Sequence, residues 1–142
     1  RWLALRSPAL YRDEEWDAPK RRLDRADLDR YRRQPIRPGE NRALAACAAF
    51  EGDVLLLRSE VDAIVPEQVI DNYRAAFGRA ASLQSLVLQD ADHALSTSAA
   101  QEAYTTCMAH WLDGLLAARR MTQTAAAPAG ATPITAARAR AA

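Results

Sequence analysis

Cysteine is nearly absent from this chain. Its two copies, Cys47 and Cys107, stand in unrelated contexts, so neither a disulfide framework nor a cysteine-based metal motif can be assembled from them. Cys107 falls on an apolar helix face and Cys47 in an alanine-rich stretch, and the expected role of each is that of a small buried hydrophobe. Glycine is also scarce. The five present form no cluster, which removes any glycine-rich loop that could cradle a phosphate. Charge of either sign is not in excess: the net value is +1, so neither nucleic acid nor an anionic membrane is expected as a partner. No apolar run approaches the roughly 18–20 residues of a membrane-spanning helix. The first residues lack the pattern of a signal peptide, and a cytoplasmic protein is the expectation. Nothing in the chain calls for a cofactor.

What is present is enough for one modest domain: 142 residues, close to half of them hydrophobic, with much alanine. The chain opens on an arginine and on a strand-like run, Trp2-Leu3-Ala4-Leu5, ended by Ser7-Pro8. A protein that continues upstream is expected from this. Residues 12–42 then change character. Charges of both signs alternate there, and Pro19, Pro35 and Pro38 break the segment up. A short helix over 24–31 would expose charge on most sides, with Trp16, Leu23, Leu28 and Tyr31 as anchors. The segment reads as a polar insertion lying over the core, not in it. The basic run Lys20-Arg21-Arg22 is interleaved with aspartates and reads as solvated surface. Asn41 is placed to cap a helix over 43–50 that packs through Leu44, Cys47 and Ala48.

Residues 54–95 organise the rest. Val54-Leu55-Leu56-Leu57 is a continuous apolar run of strand length, as suits a strand covered on both faces. Pro66 and Glu67 suit a helix start. Val69, Ile70, Tyr73, Ala76 and Phe77 then recur at helical spacing. Leu86-Val87-Leu88 reads as the next buried strand. Strand, helix, strand makes a βαβ unit, whose crossover is right-handed in nearly all cases. Ser98 to Gln101 matches a capping box, and Tyr104, Cys107, Met108, Trp111, Leu112, Leu115 and Leu116 stripe the helix after it. That helix is expected to cover one face of the sheet. Past Arg120 no periodicity remains, and residues 121–142 read as a disordered alanine-rich tail.

In open parallel sheets, ligands bind beyond the carboxyl ends of the strands. Asp62 lies shortly after one such end and His93 shortly after the next. A carboxylate that accepts the ring proton of a histidine fixes its tautomer and stabilises the imidazolium formed when the ring takes a proton. The residue types therefore suit an acid–base pair. The alternatives are structural: Asp62 as a cap for the helix near Pro66, and His93 as a satisfied polar residue in a turn. Glu60 is a substitute acid. Asp90, Asp92 and His93 could offer metal ligands, but no second histidine stands near them, and no metal site is expected. His110 lies off the apolar stripe of its helix and is expected to be exposed.

These elements carry a resemblance. Ser59-Glu60-Val61-Asp62-Ala63-Ile64-Val65-Pro66 after a strand is similar to the acid turn in the C-terminal part of α/β-hydrolases of the serine-hydrolase superfamily. Asp90-Ala91-Asp92-His93-Ala94-Leu95 is similar to their histidine turn, in the family order of acid before histidine. The opening residues 3–11 resemble the strand that follows the nucleophile helix, and residues 12–50 sit where such enzymes carry a small cap. The likeness covers about residues 1–119. It implies a partial α/β-hydrolase sheet of about three parallel strands with flanking helices and a charged helical cap, within residues 1–120. It also implies His93 as general base, Asp62 as its orienting carboxylate, and a small-molecule ester, thioester or amide as substrate. The Gly-x-Ser-x-Gly elbow of the family occurs nowhere in the sequence. Ser7, Ser59, Ser82, Ser85, Ser96 and Ser98 all lack its context, so the nucleophile is expected upstream and this chain alone is not expected to turn over substrate. The alternative is a non-catalytic, truncated or degenerate hydrolase-like interaction protein. A partial sheet would leave an unpaired edge at the strand of Trp2 or of Val54, from which self-association is expected.

Overall fold

The computed structural model describes residues 1–126. Its centre is β2 (Asp53–Ser59), a parallel strand between β1 (Trp2–Arg6) and β3 (Ser82–Leu88). In register, Leu5 lies beside Leu56, and Leu57 beside Leu86. The unbroken run Val54-Leu55-Leu56-Leu57 is buried along its whole length. Side chains alternate across a strand, so Val54 and Leu56 enter one core while Leu55 and Leu57 are buried on the opposite face. The strand of Val54 is thus central, and the outer strands among the described residues are β1 and β3.

Helix α3 (Glu67–Ala76) joins β2 to β3, with Pro66 just before its first turn. Its apolar stripe buries Val69, Ile70, Tyr73, Ala76 and Phe77 against Val54 and Leu56. Helix α2 (Arg42–Ala48) adds Leu44 and Cys47 to the same core. Asn41 caps it, accepting from the Ala43 and Leu44 N–H groups at 3.0 and 3.3 Å.

Two expectations are corrected here. The charged segment is not merely laid over the core: Tyr31 and Ile36 are core residues, beside Leu10 just before it. Helix α1 (Arg25–Arg32) is the short helix expected there, but it buries Tyr31 and Arg32. Three buried polar side chains tie the segment down. Asn72 of α3 accepts from the Ile36 N–H at 3.1 Å and donates to the Gln34 carbonyl at 2.9 Å. The Tyr73 hydroxyl donates to the Ala9 carbonyl at 2.9 Å. Asn41 Nδ2 donates to the Tyr11 carbonyl at 2.7 Å and to the Tyr31 hydroxyl at 3.1 Å. Buried polar groups are stable only when paired, and here the pairing fixes a segment that has few apolar anchors. Of the anchors expected from sequence, Trp16 is exposed and Leu23 and Leu28 are half-buried.

The second correction concerns β3. Leu88 is buried, but Leu86 and Val87 are 44% and 40% exposed. An apolar triplet marks a strand, yet whether it is covered depends on what packs beside it, and little does.

Residues Arg1–Met108 form one compact unit; a second begins at Ala109, within α4 (Ser98–Ala126). In the first unit, Tyr104 and Cys107 pack against a small cluster of Leu88, Ala91, Leu95 and Ala100 at the end of β3. The expected capping box at Ser98–Gln101 is not formed; Thr97 supplies the cap instead. Thr97 Oγ1 accepts from the Ala100 N–H, and the Gln101 side chain donates to the Leu95 carbonyl. The helix also continues to Ala126, past the point where the tail was expected to begin, because alanine, methionine and arginine are strong helix formers. Residues 127–142 of the expected tail lie outside the described residues. Among the described residues, no helix is long and apolar enough to cross a membrane.

Candidate active site

Because all three strands are parallel, their carboxyl ends share one edge, where Ser7, the acid turn and the histidine turn follow β1, β2 and β3. The pairing of β2 with β3 carries on past the strands. The Glu60 N–H donates to the Leu88 carbonyl and the Val61 N–H to the Ala91 carbonyl, each at 3.0 Å. These bonds draw the two turns together.

Asp62 and His93 meet there. His93 Nδ1 lies 2.8 Å from Asp62 Oδ2. The Asp62 side chain is 3% exposed and that of His93 is 34% exposed. The other carboxylate oxygen, Oδ1, accepts from the Ile64 N–H at 2.8 Å and the Val65 N–H at 2.9 Å. The local-turn role and the histidine-partner role are therefore both filled, one oxygen each. Burial pushes the Asp62 carboxyl up, but the bonds to His93, to the Val65 and Ile64 N–H groups and to the Ser7 hydroxyl outweigh it and hold the carboxyl below its usual range. An ionised Asp62 is acceptor-only, so the shared proton sits on Nδ1 and leaves the lone pair on Nε2.

The histidine turn is held by its own carboxylates. Asp90 has a positive φ of 53°, and its N–H donates to Glu60 Oε2 at 2.8 Å. Glu60, the substitute acid, is thereby bonded to backbone and not to His93. Asp92 accepts from the Ser96 N–H at 2.8 Å and the Ser96 hydroxyl at 2.5 Å, bonds that lower its pKa. Among the described residues, no group of three or more His, Cys, Asp and Glu side chains converges as a metal site. His110 is exposed on α4.

Ser7 is a member of this edge that sequence reasoning passed over. It is buried, adopts φ 39°, donates its N–H to the Leu57 carbonyl at 2.8 Å, and accepts from the Ser59 N–H at 3.3 Å. Its hydroxyl is also bonded to Asp62. The sequence places a turn at Arg6-Ser7-Pro8; what it does not signal is the left-handed backbone of Ser7, because a following proline biases a residue toward extended backbone. The remaining serines with bonded side chains are committed elsewhere: Ser59 to Arg6, Ser82 to Asp53, Ser85 to Arg74 and Ser96 to Asp92. Among the described residues no hydroxyl or thiol is bonded to His93.

His93 stands on the wall of a cleft of about 500 Å³. The acid turn forms one side through Ala63, Ile64 and Val65, and the charged segment forms the other through Tyr11, Lys20, Leu23, Arg25, Leu28 and Arg32. A histidine oriented by a carboxylate, beside a partly apolar hollow, is equipped to take a proton from a group held in that hollow. No protein-family model matches the chain, and no curated protein matches it.

Proposed function

We propose that this chain carries the acid and histidine half of a serine-hydrolase site of the α/β-hydrolase type, acting on a small ester, thioester or amide. The observation that carries the reading is the bond from His93 Nδ1 to Asp62 Oδ2, with the second carboxylate oxygen fixed by two backbone N–H groups and the ring opening on a cleft. In this role His93 is the general base, and later the acid, through Nε2. Asp62 holds the tautomer and stabilises the imidazolium. The nucleophilic hydroxyl and the oxyanion donors come from a segment outside this chain. The three-stranded parallel sheet that presents both turns on one edge supports this reading.

A second reading is favoured by one observation: no hydroxyl or thiol among the described residues bonds to His93. A hydrolase-like protein without turnover, acting through its surfaces, fits that equally. The test uses protein made from the complete reading frame. Labelling by a fluorophosphonate probe and turnover of an aryl ester, both lost in His93→Ala, support the hydrolase. No labelling and no turnover leave the second reading.

A further inference from the structure

The cleft beside His93 is rich in cations, Lys20, Arg25 and Arg32, none of which forms an ion pair among the described residues. Arg32 is 6% exposed. Its guanidinium donates to the Leu10 carbonyl at 3.0 Å and the Ile64 carbonyl at 3.4 Å, and lies 4.9 Å from the Tyr11 ring centroid. These bonded partners are neutral, and the nearest counter-charge, Asp29, acts on Arg32 only through space because its oxygens are bonded to Arg33, so the buried charge is only partly answered. Lys20 Nζ stands 3.6 Å from the same ring, and Arg25, at the start of α1, forms no ion pair. Asp29 is the one carboxylate on the cleft wall, and Arg33 engages it through two bonds, at 2.8 and 3.1 Å. Tyr11 registers the resulting field. Burial pushes its phenol up, but Lys20 and Arg32 outweigh this and hold it below its ordinary value. Leu23, Leu28, Ile64 and Val65 add apolar wall to the same cleft.

We propose that this cleft takes a short acyl substrate ending in an anionic group, with Lys20, Arg25 and Arg32 as the counter-charges and the acyl group lying toward His93. The inference rests on the hydrolase reading for the role of His93, and it adds the substrate class. A neutral ester would leave the buried guanidinium only partly answered, whereas a carboxylate or phosphate reached through a few methylenes would meet it.

The experiment needs binding and no turnover. Monomethyl glutarate, dimethyl glutarate and inorganic phosphate are titrated into the chain, with affinity read by calorimetry and location read from the His93 ring resonances. Monomethyl glutarate is expected to bind at least about tenfold tighter than the dimethyl ester, equivalent to about 1.4 kcal/mol. The double variant Lys20→Gln/Arg25→Gln should shrink that preference while its melting curve stays unchanged. Both residues are exposed, so this variant keeps the test open where Arg32→Gln fails to fold. Equal affinity for the two esters, or binding of neither, overturns the anionic class. Phosphate binding as tightly as monomethyl glutarate overturns the acyl part. Failure of ester hydrolysis in the complete protein is a separate result, and it bears on the hydrolase reading alone.

Discussion

Asp62 serves two masters with its two oxygens: Oδ2 accepts the hydrogen bond from His93 Nδ1–H at 2.8 Å, while Oδ1 is held by the backbone of its own turn. The carboxylate is thus fixed before any substrate arrives, and the ring it orients is fixed through it. A group that needs no reorganisation during reaction is what electrostatic preorganisation requires.

Asp62→Asn tests the orientation directly. An amide in that place can donate where the carboxylate only accepts, so the proton should move from Nδ1 to Nε2. Nitrogen-15 spectra of the ring would show the exchange of tautomers. In the complete protein, turnover should fall by about 10⁴-fold with little change in fold, as a wrong tautomer does in such sites. An unchanged tautomer in the variant would remove Asp62 from the role proposed for it.

The acid limb of stability should carry the mark of the same residue. The Asp62 carboxyl is depressed in the folded chain. Its contribution is therefore present above its unfolded value, about 3.9, and is lost as pH falls through the lower folded value. Asp92 acts in the same direction. Wild type should exceed Asp62→Asn in denaturant midpoint at neutral pH, and the gap should close below about pH 4. A gap that is constant from pH 7 to pH 2 would contradict the linkage.

Much of this site is legible in the sequence because it lies in the βαβ unit. The apolar run of β2 and the helical spacing from Val69 to Phe77 locate the strands' carboxyl ends, and the acid and histidine follow them. The anchoring of the cap segment is not legible in the same way. It depends on Asn72, a polar residue on a helix, reaching the backbone of Ile36 and Gln34 far away in sequence. Such bonds leave no periodic trace. The exposure of Leu86 and Val87 is hidden for the opposite reason: apolar character indicates strand and does not report whether a neighbour covers it.

Asn72→Ala should accordingly cost more than its size suggests. It would leave the buried Ile36 N–H without its partner, at about 1–3 kcal/mol for a buried group left unsatisfied, while the carbonyl of the exposed Gln34 can turn to water. Gln68→Ala, which removes only a bond to Asn72 Oδ1, should cost well under that. Chemical denaturation of the two variants decides it. Equal, small losses would mean that the cap segment is held by something other than these bonds.

On the alkaline side, burial pushes Cys47 from 9.0 to about 11 and Tyr73 from 10.0 to about 12. Both are raised, so the stability they contribute is complete below the unfolded values and drains away as pH climbs through the folded ones. Tyr73 also donates to the Ala9 carbonyl, a bond that an ionised phenolate cannot make. Unfolding should therefore set in between pH 9 and 12. Cys47→Ala should move its onset upward relative to neutral-pH stability. An onset unmoved in that variant would exclude the thiol as a contributor.

The sheet itself carries the last prediction. Among the described residues β1 and β3 are its outer strands, and β3 presents Leu86 and Val87 to solvent. An outer strand with free N–H and C=O groups and apolar side chains is a template for pairing with another strand. We expect the isolated chain to self-associate in sedimentation experiments as concentration rises. Val87→Lys places a charge on that strand without touching the buried face of β2, and should shift the distribution toward monomer while leaving the melting temperature within a few degrees. Leu86→Lys, on the other face of the same strand, separates the two modes: an equal effect from both substitutions points to pairing along the edge, and an effect from only one points to burial of that face. A chain that stays monomeric at all concentrations would contradict the role given to this strand.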